Sequence, residues 1–359
     1  MKVAIIGTVG VPACYGGYET LVENLLDYKQ KTDICYQIYC SSKSYKEKKK
    51  EYKGAKLIYL PFKANGAQAT IYDILSLIHG YFTCDKMLVL GCFSSIILPI
   101  TKIFSSKKVI INLDGLDDQR EKFNSIKQKI IGFGRKCAAK YAHVCISDNQ
   151  GIVDYAKHVY NRDSILIEYG GDNAYPVLDD IKLYHKYGLK PREYSFKVAR
   201  IEPENNIELI LQCYSMIPTE KLVIVGNWKK STFGQQMLKK YGSSSNIILL
   251  DPIYESNEIN LLRYNCKLYI HGHSAGGTNP SLVEAMNLGL PIIAYGVVYN
   301  KETTEYKAYY FESADQLKEI VETLSKHEFL RRELGQEMKS IATRRYTWKI
   351  ITEKYENLF

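Results

Sequence analysis

Short apolar runs alternate with amphipathic segments along almost the whole chain, and this alternation constrains the fold more than any other feature. Residues 3–6 form the first apolar run, and residues 17–28 follow it with Leu21, Leu25 and Tyr28 on one helical face. Strands that alternate with helices build βαβ units around a mostly parallel sheet. The sequence therefore predicts an α/β fold.

The same rhythm restarts in the second half of the chain, after a loop-rich stretch at residues 169–176. A strand is predicted at 195–199 and a helix at 206–216, and later a helix at 280–288 lies between strands. A chain of 359 residues is long enough for two domains of ordinary size. We therefore predict two doubly wound, Rossmann-like domains that face a central cleft, where ligands sit beyond the carboxyl ends of the strands.

Composition indicates an ordinary globular protein, with 46% hydrophobic and 24% charged residues. No apolar run reaches the roughly 18–20 residues that a membrane-spanning helix needs. The first seven residues are typical of a buried strand rather than a signal peptide, so we expect a cytoplasmic protein. The nine cysteines occur singly, without a CxxC pair, which favours free thiols over disulfides or a zinc site.

Positive charge is concentrated in the first half. The formal net charge is +9, and residues 102–140 contain ten Lys or Arg against four Asp or Glu. Such a surface suits nucleic acid, a phosphorylated substrate or an anionic membrane, or it is simply a solvated lysine-rich face. The chain lacks a recognisable nucleic-acid-binding motif, and we therefore predict no nucleic-acid partner.

Two glycine-containing loops precede helices and are candidate phosphate sites. Gly16 and Gly17 stand directly before the first helix, where they either bind an anion or form a flexible turn. In the stretch 276–286, Asn279 is a good N-cap and Pro280 a good first helical residue. The Ser281 and Leu282 amides would then point at a diphosphate, and Glu284 would lie one turn further on, as a ribose contact or an exposed carboxylate.

Two charged side chains follow predicted strands. Arg200 is placed to clamp phosphate oxygens, and the alternative is a salt bridge to Glu202 or Glu204. Asp114 follows a buried strand and precedes a glycine, which is typical of an active-site carboxylate, although a turn with capping aspartates is also possible. Aspartates spaced as they are at 114–118, without histidines, are a weak metal signal, so we predict no metal and no cofactor.

Together these stretches resemble the retaining GT-B glycosyltransferases of family 4, and within it the bacterial rhamnosyltransferase branch that builds capsule or exopolysaccharide. The resemblance covers nearly the whole chain. The matching stretches are residues 12–20, 112–116, 200–206 and 276–286, together with a last helix that contains residues 346–355.

The resemblance implies an N-terminal acceptor-side domain at residues 1–172, joined by a C-terminal helix at 345–359, and a donor-binding domain at 173–344. It implies Asp114, Arg200 and Glu284 as catalytic residues. The implied substrate-binding residues are Gly16, Gly17, Arg200, Asn205, Gly277, Thr278, Asn279, Ser281, Leu282 and Glu284.

The chain departs from the broader family at two positions. Gly276 stands where the family carries the first glutamate of its E-x7-E element, and Asn205 stands where a lysine usually joins the arginine on the diphosphate. The first change removes a contact to the transferred sugar, and the second removes one positive charge from the phosphate site.

The expected function is transfer of L-rhamnose, with retention, from dTDP-rhamnose to a lipid-linked saccharide. The donor is a dTDP- or UDP-linked sugar, and the protein is expected to contact the anionic inner face of the cell membrane peripherally. The alternatives are a GT-B epimerase or phosphorylase, and a non-catalytic protein that binds sugars or anions.

Overall fold

The computed structural model describes residues 1–14, 16–104, 107–113 and 125–359. The chain divides into two compact units. The first domain comprises Met1–Tyr169 and Trp348–Phe359, and the second comprises Gly170–Thr347. Each unit is built around its own sheet, as the α/β prediction requires.

The first domain contains an eight-stranded sheet in the order β3-β4-β2-β1-β5-β6-β7-β8. All its pairings are parallel except that of β3 with β4. The strands are β1 (Lys2–Ile6), β2 (Cys35–Ser41), β3 (Glu51–Tyr52), β4 (Ala55–Leu60), β5 (Lys86–Leu90), β6 (Lys108–Asn112), β7 (Val144–Ser147) and β8 (Ile165–Leu166). The helices are α1 (Gly17–Asp27), α2 (Ala69–Thr83), α3 (Leu98–Phe104), α4 (Ser125–Tyr141), α5 (Gln150–Tyr160) and, from the end of the chain, α14 (Trp348–Glu356).

The centre of this sheet is buried on both faces, which explains why β1 reads as a continuous apolar run. At the end of β1 the chain turns at Gly7, which has a φ of 95°. A Cβ atom there would lie 2.0 Å from the carbonyl oxygen of Leu90. Only glycine allows this approach, so the loops that follow β1 and β5 start side by side.

Helix α14 packs within the first domain. Its Glu356 carboxylate accepts hydrogen bonds from the backbone N–H groups of Gln30 and Lys31, at 3.1 and 2.9 Å. The rings of Trp348 and Tyr169 meet edge to face, with their centroids 6.5 Å apart. The end of the chain is therefore held by buried aromatic packing and by a carboxylate that caps two amides.

The second domain contains a fully parallel six-stranded sheet in the order β11-β10-β9-β12-β13-β14. The strands are β9 (Tyr194–Val198), β10 (Lys221–Val225), β11 (Ile247–Leu250), β12 (Leu268–His271), β13 (Ile292–Tyr295) and β14 (Tyr309–Phe311). The helices are α6 (Asp180–Tyr187), α7 (Ile207–Ser215), α8 (Thr232–Tyr241), α9 (Ser256–Tyr264), α10 (Pro280–Asn287), α11 (Val298–Thr303), α12 (Ala314–Lys326) and α13 (Glu328–Arg345).

In each sheet the chain builds outward in one direction and then continues from the other side of its first strand. The reversal lies between β1 and β5 in the first domain and between β9 and β12 in the second. Such a topological switch point is where open α/β sheets bind ligands, beyond the carboxyl ends of the strands.

Two general predictions can be compared with the structure. All nine cysteines are described, and all are free thiols. Across the described ranges, no helix has the length and apolar character needed to cross a bilayer.

One carboxylate on the inner face of α2 makes the first domain sensitive to pH. Asp73 is buried, has no hydrogen-bond or ion-pair partner among the described residues, and has its pKa raised to about 8 by burial. An acid whose folded pKa exceeds its unfolded value contributes stability at low pH and loses it as pH rises through that interval.

We therefore predict that Asp73→Asn flattens the pH dependence of unfolding. Between pH 5 and pH 7 the wild type should lose about 2–3 kcal/mol relative to the variant, since each pH unit corresponds to about 1.4 kcal/mol. Urea denaturation at each pH measures this difference. Asp33→Asn, at an exposed position, is the control, and parallel profiles for Asp73→Asn and the wild type would contradict the prediction.

Candidate functional site

The candidate site lies at the switch point of the second sheet. Strands β9 and β12 are parallel neighbours, with Ser195 opposite Leu268 and Phe196 opposite Tyr269. Because parallel strands end at the same edge of a sheet, the loops that follow them, residues 199–206 and 272–279, emerge together. We call these two loops, with the start of α10, the switch-point edge.

Arg200 lies at this edge, two residues after β9, and its side chain is exposed. Its carbonyl oxygen accepts a hydrogen bond from Asn205 Nδ2 at 2.7 Å and another from the Glu202 amide at 3.0 Å. Within the part of the chain that the structure describes, its guanidinium forms no ion pair, so the alternative salt bridge to Glu202 or Glu204 is absent. The loop is fixed through the backbone of Arg200, and the cation is left for solvent or a ligand.

We expected the Ser281 and Leu282 amides at the start of α10 to be free, but both are hydrogen-bonded. Asn279 caps the helix: its Oδ1 accepts from the Ser281 amide at 3.1 Å, and its carbonyl oxygen accepts from the Leu282 amide at 3.0 Å. The amides of this loop without an acceptor in the described ranges include those of Gly277 and Asn279. An N-cap asparagine and an incoming anion compete for the same donors, and here the asparagine holds them.

Residue 276, where the sequence resemblance leads us to expect a glutamate, has a backbone conformation that favours glycine. Gly276 has a φ of 114°, a region that side chains other than glycine rarely adopt. The neighbouring Thr278 side chain is buried. The loop after β12 therefore presents backbone groups, rather than a carboxylate, at residue 276.

Asn205 connects the two loops of the switch-point edge. It is buried, and its amide group both donates to the Arg200 carbonyl oxygen and bonds through Oδ1 to Nδ1 of His273. The His273 carbonyl oxygen accepts in turn from Asn300 Nδ2 at 2.8 Å. The substrate contact of Asn205 stays a prediction, whereas its hydrogen bonds to both loops are observed. His273 was not among the predicted site residues, although it lies two residues after β12, as Arg200 lies two residues after β9.

Glu284 is neither exposed nor idle. Its carboxylate pairs with Arg263 at 2.6 Å and accepts a hydrogen bond from Asn173 Nδ2 at 2.9 Å. The two charged side chains are only 6% and 14% exposed. This internal ion pair was not predicted from the sequence, for which the alternatives were a ribose contact or an exposed carboxylate. The ribose contact stays a prediction.

The remaining predicted site residues lie in the first domain. Gly16 is the N-cap of α1 and Gly17 its first residue, and no side chain caps the helix. The preceding loop is held by carboxylates from α1: Glu19 accepts from the Val9 amide at 2.6 Å and Glu23 from the Ala13 amide at 2.8 Å. Phosphate binding by this loop stays a prediction. Asp114 lies outside the described residues.

No group of three or more His, Cys, Asp or Glu side chains in the described ranges is arranged to hold a metal ion. Asp114, Asp117 and Asp118 are outside those ranges.

Variants of the Glu284–Arg263 pair can distinguish a role of Glu284 in stability from a role in ligand binding. Removing one partner of a buried ion pair leaves an uncompensated charge, at a cost of about 3–5 kcal/mol. Glu284→Gln and Arg263→Met should therefore both lower the thermal midpoint. If Glu284 also contacts the ribose, only Glu284→Gln should in addition weaken nucleoside binding in calorimetry below its midpoint. Equal nucleoside affinities in the two variants would assign Glu284 a structural role alone.

Sequence comparisons assign the two halves of the chain differently. Residues 182–341 match the family described as "Glycosyl transferases group 1". Residues 1–172 match the family described as "Domain of unknown function (DUF1972)". No curated protein matches the sequence.

Solved structures match the chain over almost its full length. Sucrose-phosphate synthase from Thermosynechococcus elongatus superposes with a TM-score of 0.84 at 14% identity, covering 99% of this chain and 98% of that one. HepE from Anabaena, in complex with UDP, gives 0.78 at 15% identity, covering 100% and 99%. A glycosyltransferase from Rickettsia africae gives 0.72 at 12% identity, covering 99% and 97%. At these identities the likeness establishes the fold.

The structural matches confirm the predicted GT-B fold class of two Rossmann-like domains. The family match places a glycosyltransferase domain over most of the second unit. The chain therefore has the GT-B fold, and its residues 182–341 match the group 1 glycosyltransferase domain.

Proposed function

We propose that the enzyme transfers a sugar from a nucleoside diphosphate held at the switch-point edge of the second domain. The observation that carries this proposal is the exposed Arg200, which has no ion-pair partner among the described residues, beside a loop whose Gly277 and Asn279 amides have no acceptor among them. Guanidinium and amide groups are the donors that stabilise negative charge on a departing diphosphate. Asn205 joins the two loops before the reaction, so the loop amides need little reorganisation to stabilise the transition state.

The proposed donor is dTDP-L-rhamnose, on the basis of the sequence resemblance to the rhamnosyltransferase branch of family 4. A UDP-linked sugar is the main competitor, since the matched HepE structures contain UDP and UDP-glucose. The loop at Gly276 lacks the family glutamate that contacts the transferred sugar. The donor sugar is thus expected to be recognised through other groups than in the broader family.

The proposed chemistry is transfer with retention at the anomeric carbon and without a metal. The bond to the leaving diphosphate breaks while Arg200 and the loop amides stabilise the charge, and the acceptor attacks from the same face. The leaving phosphate oxygen then accepts the proton of the acceptor hydroxyl. Asp114 is proposed as a polar group on the acceptor side.

A screen of nucleotide sugars tests this function. Thermal shift identifies the donor, and transfer in excess EDTA is followed by NMR of the product's anomeric proton. Stabilisation by dTDP-rhamnose and a β-linked product from the β-linked donor are expected. The matches include a putative UDP-N-acetylglucosamine 2-epimerase from Listeria monocytogenes, with a TM-score of 0.63. Isomerised or hydrolysed donor without transfer to any acceptor would therefore favour the epimerase alternative.

Arg200→Ala should weaken binding of the nucleoside diphosphate without unfolding the protein, because the side chain is exposed and unpaired. Loss of a charge-assisted hydrogen bond costs about 1.5–3 kcal/mol, which corresponds to roughly a 10- to 150-fold rise in Kd. Titration calorimetry measures this change. Arg332→Ala, at another exposed arginine of the same domain, controls for net charge, and unchanged affinity in Arg200→Ala would refute the proposed role.

We further propose a lipid-linked saccharide as the acceptor, met by the first domain at the anionic inner face of the membrane. The supporting observation is an apolar stripe on α2: Ile71, Leu75, Ile78 and Phe82 recur at helical spacing and are exposed, Phe82 by 84%. Isolated exposed apolar residues are ordinary, but four along one helix face are typical of a docking surface.

Helix α4 lies on the same side of the sheet, because both it and α2 pack against the 3-10 turn Phe93–Ile97. It exposes Ile130 and Phe133 next to Lys129 and Lys136, whereas Ile131 is core. Basic groups near an anionic membrane contribute about 1 kcal/mol each, and the apolar side chains add shallow insertion.

Liposome co-sedimentation tests the membrane contact. Binding should rise with anionic lipid and fall with salt. The double variant Ile78→Ser, Phe82→Ser should bind several-fold more weakly, and so should Lys129→Gln, Lys136→Gln. Phe329→Ser is the matched control, since Phe329 is 69% exposed but lies in the second domain. Equal loss in the control, or no binding to anionic liposomes at low salt, would contradict the proposal.

A further inference from the structure

A lysine is buried in the second domain without a counter-charge. Lys197 lies on β9, three residues before Arg200, and is 2% exposed. In the described ranges its ammonium group has no carboxylate partner and no hydrogen-bond acceptor. Burial lowers the pKa of Lys197 to about 7. Charged groups that are buried in proteins are normally paired with an opposite charge or become neutral. The unpaired position of Lys197 therefore requires an explanation.

The ammonium group of Lys197 lies at the switch-point edge. A Cβ atom added to Gly272 would come within 3.2 Å of Lys197 Nζ and 2.4 Å of the Asn205 carbonyl oxygen. The lysine therefore reaches the backbone of the loop that follows β12, next to Asn205. Glycine at residue 272 leaves the space that this approach needs.

Two histidines add to the basic character of the same edge. His271, the last residue of β12, is buried, and its Nε2 has no hydrogen-bond partner among the described residues. Burial lowers the pKa of His271, and the charge of Lys197 lowers it further. The rings of His271 and His273 have centroids 6.1 Å apart. These side chains therefore lie together where the proposed donor diphosphate would bind. Burial disfavours the charged forms of Lys197 and His271, and a bound anion would stabilise those forms.

We propose that Lys197 supplies the second positive charge to the donor diphosphate, in place of the lysine that this chain lacks at residue 205. This inference rests on the proposed function, because it assumes a nucleoside diphosphate at the switch-point edge. The polar side-chain atoms of Asn205 join the two loops and carry no charge. The second positive charge is therefore supplied by Lys197, whose side chain reaches the edge from strand β9. Arg200 binds the diphosphate from the exposed side, and Lys197 binds it from the buried side.

The test compares Lys197→Met and Lys197→Gln with Lys239→Met, which removes an exposed lysine of the same domain. Calorimetry with UDP and dTDP should show affinity about 10- to 100-fold weaker in both Lys197 variants and unchanged in the control. Binding of the nucleoside alone, uridine or thymidine, followed by ligand-observed NMR, should be unaffected. The thermal midpoint without ligand should rise in Lys197→Met, because an unpaired buried cation is replaced by an apolar side chain.

The possible outcomes distinguish failure of the proposed role of Lys197 from failure of the proposed function. If the wild type binds neither diphosphate, the proposed function fails. If the wild type binds one, Arg200→Ala weakens that binding and the Lys197 variants do not, only the role of Lys197 is overturned. If both Lys197 variants fail to fold, the lysine is structural and the inference is also overturned.

Discussion

The parallel pairing of β9 with β12 is the constraint on which the candidate site depends. These strands are far apart in sequence and adjacent in the sheet. Because they run in the same direction, the loops at residues 199–206 and 272–279 end at one edge, and Asn205 bonds to His273 across them. An antiparallel neighbour would put its loop at the opposite edge. The pairing of β1 with β5 does the same in the first domain, where Gly7 approaches Leu90.

The distribution of charge around that edge follows from which groups are paired. Inside the domain, the Glu284 carboxylate is neutralised by Arg263, so it adds little negative potential to the start of α10. At the edge, Arg200 is exposed without an ion-pair partner among the described residues, and Lys197 is buried without one. The helix dipole of α10 adds positive potential in the same region. Together these features favour an anion over a neutral ligand.

Local patterns in the sequence predicted much of the fold but less of the site. The predicted strand at 195–199 and the predicted helices at 206–216 and 280–288 lie within one residue of the observed bounds, because apolar periodicity follows burial directly. The two-residue strand β3 was missed, since so short a segment carries no periodicity. The Glu284–Arg263 and Asn205–His273 contacts join distant parts of the chain, and no local pattern encodes them. The capping of Ser281 by Asn279 was within reach of the sequence, because a good N-cap uses the amides that follow it.

The most direct test of the central claim is a crystal structure of the protein with the nucleoside diphosphate of its donor. The account predicts that the diphosphate lies beyond the carboxyl ends of β9 and β12, with Arg200 and the Gly277 and Asn279 amides within hydrogen-bonding distance of its oxygens. A diphosphate bound away from this edge, with Arg200 still exposed to solvent, would contradict it.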